Sequence, residues 1–144
     1  PGGPPLRRHR LPRRPDLLRS PAGHGRHRGH PGSHGRGAHL DNAYTIGKDV
    51  LGPQLTALYD KHPKIGEVRG KGVFWAVEMV ADRHHQGAAG RRTMKQIVAE
   101  GDKRGLILGV HNNRIHVTPP CVISADEATQ GVEILDQVLT AAGC

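Results

Sequence analysis

Arg114 and His116 stand two residues apart in the segment RIHVTPP. Side chains at that spacing on an extended strand share a face, so the pair offers a guanidinium beside an imidazole. A guanidinium holds a carboxylate through two parallel hydrogen bonds, which makes carboxylate binding the chemistry this segment could do. The other reading is a solvated strand end, and the segment alone leaves both open. Lys48, Lys61, Lys64 and Lys71 fall in polar helix or turn contexts. None has the desolvated setting that a Schiff-base lysine needs. His84 and His85 sit in a polar loop and read as surface, whereas Trp75, inside an apolar run, reads as core rather than as a stacking platform.

A second concentration of chemistry-bearing residues is the stretch AGHGRHRGHPGSHGRGAHL, Ala22 to Leu40, with five histidines, three arginines and no acid. His24, His27 and His30 are spaced by three, yet the tract brings no carboxylate or thiolate partner and no rigid frame, so no metal site is expected. The arginines could hold phosphate backbones non-specifically, as any flexible polycation does. Net charge locates the effect. Of the formal +8, residues 1–40 carry nine arginines against the single acid Asp16, which leaves 12 basic and 12 acidic residues in 41–144. The block also holds seven of the eleven prolines and has no Val, Ile, Phe, Tyr, Trp or Met. Without such side chains it cannot bury enough surface to offset chain entropy, so disorder is expected over 1–40.

The remaining 104 residues, 41–144, must supply whatever positions the candidate residues. Ile46, Val50, Leu51, Leu55 and Leu58 recur at helical spacing over 41–60, with a kink expected at Gly52-Pro53. A turn then leads to a short strand ending at Arg69-Gly70, and GVFWAVEMV, 72–80, reads as a largely buried strand. After the polar loop ADRHHQGAAGRR, the segment TMKQIVAEGDKRG fits a helix stopped by Gly105. LILGV and RIHVTPP read as two strands around the turn HNN, the second closed by Pro119-Pro120. Ser124 and Glu127 have the spacing of a capping box and open a last helix to about Ala141. Helix, two strands, helix, two strands, helix predicts an α+β fold, a small sheet with helices packed on one face.

Two segments carry a family resemblance: HPKIGEVRGKGVFWAVEMVADR and GLILGVHNNRIHVTPPCVISADEATQGVEILDQVL. Over Asp41 to about Ala141 the chain resembles the C-terminal domain of class III aminotransferases, the pyridoxal-phosphate-dependent ω-aminotransferases of fold type I. The resemblance implies a domain fragment, 41–144, of an enzyme that moves an amino group from an amino donor to a keto-acid acceptor. It implies pyridoxal 5′-phosphate as cofactor and a homodimer or larger assembly for the intact enzyme. It further implies that the catalytic lysine lies upstream and is missing, so the chain alone is expected to be inactive, with no catalytic or cofactor-binding residue of its own. Family members often place a carboxylate-gripping arginine three residues before the proline pair. His116 occupies that place here, and Arg114, two residues earlier, is the best substrate-binding candidate.

Just upstream the family carries a loop of the type GGxTYSGHPLA, where this chain has PRRPDLLRSPAGH. Asp16 to Ala22 can be encoded GAC CTA CTC CGG TCA CCC GCT, and one base later that string reads TYSGHPL. Carried from Leu11 to His39, a permitted reading is FPGGRTYSGHPLATAAIVATLEAMEEELI. Only the middle base of each hidden codon is free, about four residues per position, so an eight-residue motif match is not a chance expectation. The basic block therefore reads as a GC-rich gene translated one base out of frame, and the family's phosphate-holding threonine lies hidden beneath Asp16. The rival reading is a basic interaction module whose arm binds nucleic acid. No specific nucleic acid is expected as a partner. The start at Pro1 points to a fragment, and Cys121 and Cys144 to free thiols in a reducing cytoplasm. No apolar run reaches the length of a membrane span.

Overall fold

The structure, a computed structural model, describes residues 34–84 and 87–144, with side chains from residue 37 onward. The elements run α1 (His34–Ile46), a π-helical turn (Gly47–Leu51), α2 (Gly52–Lys61), β1 (Ile65–Lys71), β2 (Phe74–Met79), α3 (Arg91–Lys103), β3 (Gly109–His111), β4 (Arg114–Val117) and α4 (Ala125–Ala141). The strands form one antiparallel sheet in the order β1-β2-β4-β3. The α+β reading of a small sheet with helices holds. The expected disorder over 1–40 lies outside the described residues up to residue 33, but its last part is corrected: His34–Leu40 belongs to α1. Helix growth is cooperative, and a helix anchored through buried Ala43 and Ile46 extends backward at low cost through Leu40 and Ala38.

The kink expected at Gly52-Pro53 takes a specific form. Pro53 has no N–H, so the chain widens one turn before it, and the Gly52 N–H reaches back to the Gly47 carbonyl. Gly47 is forced by the same geometry. A Cβ there would lie 1.9 Å from the carbonyl oxygen of Gly72, which itself has φ +56° in the turn between β1 and β2. Trp75 fills the space beside them. Its ring lies against Gly52 and Gly70, where a Cβ would collide with it, and its Nε1 donates to the Gly72 carbonyl at 2.7 Å. Trp75 is half-buried and packs against the core, short of the full burial its setting in the sequence suggests.

One sheet face carries Val68, Val77, Met79, Val110 and Ile115 into a core shared with Leu51, Leu55, Leu58, Ile97, Val132, Leu135, Val138 and Leu139 from the helices. Gly105 has φ +75° just past α3, the left-handed cap that its place in the sequence requires. β3 is shorter than the expected strand LILGV, because only Gly109–His111 pair with β4. In that register Ile107 and Leu106 would face Thr118 and Pro119, and a proline supplies no N–H to extend the ladder.

The capping box at α4 is formed in both directions: the Glu127 N–H donates to Ser124 Oγ at 3.3 Å, and the Ser124 N–H donates to the Glu127 carboxylate at 2.9 Å. Ser124→Ala should cost about 1 kcal/mol of stability in urea unfolding. A loss below about 0.3 kcal/mol would show that the cap is made by something else. Among the described residues no helix is long and apolar enough to cross a membrane, and both cysteines are free.

Candidate functional site

The outer sheet face, opposite the helices, is where strand register places the candidate residues. Glu78 pairs with Arg114, and Arg114 with His111, so these three side chains form one row, which Glu67 on β1 continues. The next row holds Arg69, Ala76, His116 and Gly109. The structure thus puts Arg114 and His116 on one face, as alternation along the strand requires.

Register also sets two carboxylates, Glu67 and Glu78, directly opposite each other. Like charges in that position repel unless cations intervene. Arg114 Nε donates to Glu78 Oε2 at 3.2 Å, Arg69 Nη1 reaches the same oxygen at 3.4 Å, and Arg69 also pairs closely with Glu67. The hydrogen bond from Arg114 is the main cause that holds the Glu78 carboxyl below the usual range, against the opposing effect of burial. Asn113 fixes the corner: its Nδ2 donates to Met79 O at 2.9 Å, and its own carbonyl accepts the Met79 N–H at 2.7 Å. Among the described residues Arg114 has Glu78 as its hydrogen-bond partner through Nε, and its side chain stays 43% exposed. Among the described residues its outer amino groups make no hydrogen bond.

His116 sits differently. Its ring meets Phe74 edge-on, 6.2 Å between centroids, and Phe74 is itself 62% exposed. The other side of His116 borders an apolar cavity of about 290 Å³ that Leu106, Leu108, Ile123 and Val132 help to line. His116 thus borders both the outer face and that cavity, whereas Arg114 stands on the outer face and does not line the cavity.

The lysines show no such organisation. Lys61 pairs with Asp136 at 2.5 Å, Lys64 donates to the Gly143 carbonyl at 2.6 Å, and Lys48, Lys71, Lys95 and Lys103 are exposed. His84 is exposed, and His85, like His24, His27 and His30, lies outside the described residues. Among the described residues no three His, Cys, Asp or Glu side chains form a group that could hold a metal ion. Sequence reasoning missed Glu78. Its signal was present as the one charged residue inside GVFWAVEMV, but its partner depends on the β2–β4 register.

The sequence profile described as aminotransferase class-III matches residues 36–139. The chain is 33% identical over 108 residues to the hypotaurine/taurine–pyruvate aminotransferase of Paracoccus denitrificans, covering 70% of this chain and 23% of that protein. It is 36% identical over 101 residues to the 4-aminobutyrate aminotransferase of Escherichia coli, covering 68% and 23%. Among solved structures, the taurine:2-oxoglutarate aminotransferase of Bifidobacterium kashiwanohense, in complex with PLP and glutamate, is 28% identical with a TM-score of 0.62, over 72% of this chain and 23% of that one. The chain spans about a quarter of the length of the relatives it matches.

Proposed function

The chain belongs to the class-III aminotransferase family, and we infer from this that it forms the substrate-facing C-terminal part of a transaminase. That enzyme moves an amino group from an amino acid or amine donor to a keto-acid acceptor. The observation that carries the reading is a family match over residues 36–139 that coincides with the helix-backed sheet bearing Arg114. On this reading Arg114, tethered to Glu78 through Nε, grips a substrate carboxylate with its outward amino groups, and His116 and Phe74 flank the rest of the substrate. The intact enzyme acts in the cytoplasm as a homodimer or larger assembly.

Pyridoxal 5′-phosphate is the cofactor this family implies for the intact enzyme. The residues present do not fit it as a covalent site. A Schiff-base lysine must be desolvated so that its amine is neutral and nucleophilic, and every lysine of the chain is exposed or half-exposed. The chain alone is therefore expected to form no stable aldimine with pyridoxal phosphate. Borohydride treatment followed by mass spectrometry checks this. Stoichiometric labelling of a single lysine would overturn it.

Residues 1–40 are, in this reading, the family's upstream segment translated one base out of frame; the family match in the visible frame begins at residue 36, within the last five residues of that block. The alternative, a nucleic-acid-binding arm, rests on a segment mostly outside the described residues, and the relatives above lend it no support. A chimera tests the proposal: residues 41–144 replace the matching segment of the Escherichia coli 4-aminobutyrate aminotransferase. A folded, cofactor-loaded chimera should transaminate. Loss of activity in a chimera that folds and holds its cofactor would refute the assignment.

A further inference from the structure

Asn42, half-buried on α1, directs both N–H groups of its side-chain amide at a distant segment. Its Nδ2 donates to the Cys121 carbonyl at 2.8 Å and to the Ile123 carbonyl at 3.0 Å. The amide cannot be turned over, because Oδ1 would then face two carbonyl oxygens with no proton between them. Neither an aspartate nor a hydroxyl of similar reach offers two donors from one atom. Nothing in the sequence marks this residue, since its acceptors stand 79 and 81 positions away. The proposed function assigns it no part.

The helix that carries Asn42 is anchored at the very next residue, buried Ala43, and again at buried Ile46. The acceptors lie in the loop 118–124, between the end of β4 and the start of α4. Pro119 and Pro120 bring no N–H to that loop, and the Ile123 N–H closes a turn onto the Pro120 carbonyl at 3.0 Å. Ser124 is engaged in the cap of α4. Ile123 rests partly buried against the core, while Val122 stays exposed. Among the described residues, the two bonds from Asn42 are the hydrogen bonds that join this loop to a distant part of the fold.

The loop leaves the strand that carries Arg114 and His116, and Thr118, Pro119 and Ile123 form one wall of the cavity that His116 borders. The facing walls come from Leu106 to Gly109 and from α4. A shift of the loop therefore changes the width of the cavity and moves the end of β4 next to His116. Arg114, at the other end of β4 and tied to Glu78, is held independently.

We propose that Asn42 is a positioning residue for the part of the substrate that is not its carboxylate: by holding the loop 118–124 it fixes the wall beside His116 against which that part rests. This rests on the transaminase reading above. It gives Arg114 and Asn42 different parts of one substrate. Loss of Arg114 spares a simple amine, whereas loss of the Asn42 amide affects an amine and an amino acid alike, because both present a hydrocarbon part to His116.

Asn42→Asp, in the chimera described above, keeps the size of the side chain, removes both donors and turns a charged oxygen on two carbonyls. KM for a simple amine and for an amino acid should each rise about tenfold, with kcat within about twofold. A merely structural asparagine would instead lower the folded fraction, which reduces kcat and leaves KM unchanged. An active chimera whose KM for the amine is unchanged by Asn42→Asp would overturn the proposal. If that variant fails to fold, Asn42→Ala, without the added charge, gives the same comparison. An unaltered chimera that folds and holds its cofactor yet is inactive counts against the transaminase reading instead. Hydrogen exchange on the full chain then decides the clamp separately. In Asn42→Asp or Asn42→Ala the Ile123 amide should exchange at least about tenfold faster, while the amides of Leu55 and Ile97 keep their rates. Unchanged exchange at Ile123 would overturn the clamp whatever the chimera does.

Discussion

Arg114→Ala, introduced into the chimera described above, is expected to lower kcat/KM roughly ten- to a hundredfold for an amino acid or keto acid and to leave a simple amine nearly unaffected. The size follows from hydrogen bonds between charged groups, about 1.5–3 kcal/mol for the pair of contacts a guanidinium makes with a carboxylate. The selectivity follows from geometry. Arg114 stands on the outer face with its Nε on Glu78 and its side chain half-exposed, so its loss removes a carboxylate contact without opening the core. A solvated strand-end arginine would instead give small, equal changes for both substrate classes. Kinetics with one substrate of each class separates these outcomes. Equal losses would remove Arg114 from the site and make His116→Ala the next substitution.

Gly47→Ala should produce the largest loss of stability, about 3 kcal/mol. The added Cβ would fall 1.9 Å from the Gly72 carbonyl oxygen, a backbone atom that no rotamer change can move aside. Relief requires the π-helical turn and the turn between β1 and β2 to separate, and Trp75, hydrogen-bonded to that same carbonyl, would be displaced with them. Gly131→Ala on α4, where a Cβ meets nothing within 4 Å, is the matched control and should be neutral or mildly stabilising. Urea unfolding of the two variants measures the difference. Equal midpoints would mean that the close approach of Gly47 to Gly72 is not part of the fold.

What the sequence made legible was local. Ser124 and Glu127 announce a helix start because the capping box is built from residues three apart, and Gly105 announces a helix stop because the left-handed cap favours glycine. Arg114 and His116 share a face because alternation along a strand is fixed by its pleat. Pairings between distant segments were not legible. Glu78 meets Arg114 only through the β2–β4 register, and His62 meets Asp136 across 74 residues. The early start of α1 was hidden for another reason. Composition favours disorder over 1–40, yet a helix anchored downstream extends through Leu40 and Ala38 to His34. The shortness of β3 was readable in principle, since Pro119 stands where the ladder would continue, but only once the register was known.

If residues 41–144 are a transaminase segment and residues 1–40 are the same gene read one base out, the nucleotide sequence must carry both frames. The codons of residues 11–45 test this most directly. One base later they should encode TYSGHPL beneath Asp16–Ala22, run open through residue 39, and rejoin the visible frame by a single-base shift near Leu40. Codons that place other residues beneath Asp16–Ala22, or a stop in the shifted frame before Leu40, would contradict the claim and return the arginine- and histidine-rich block to consideration as a functional arm.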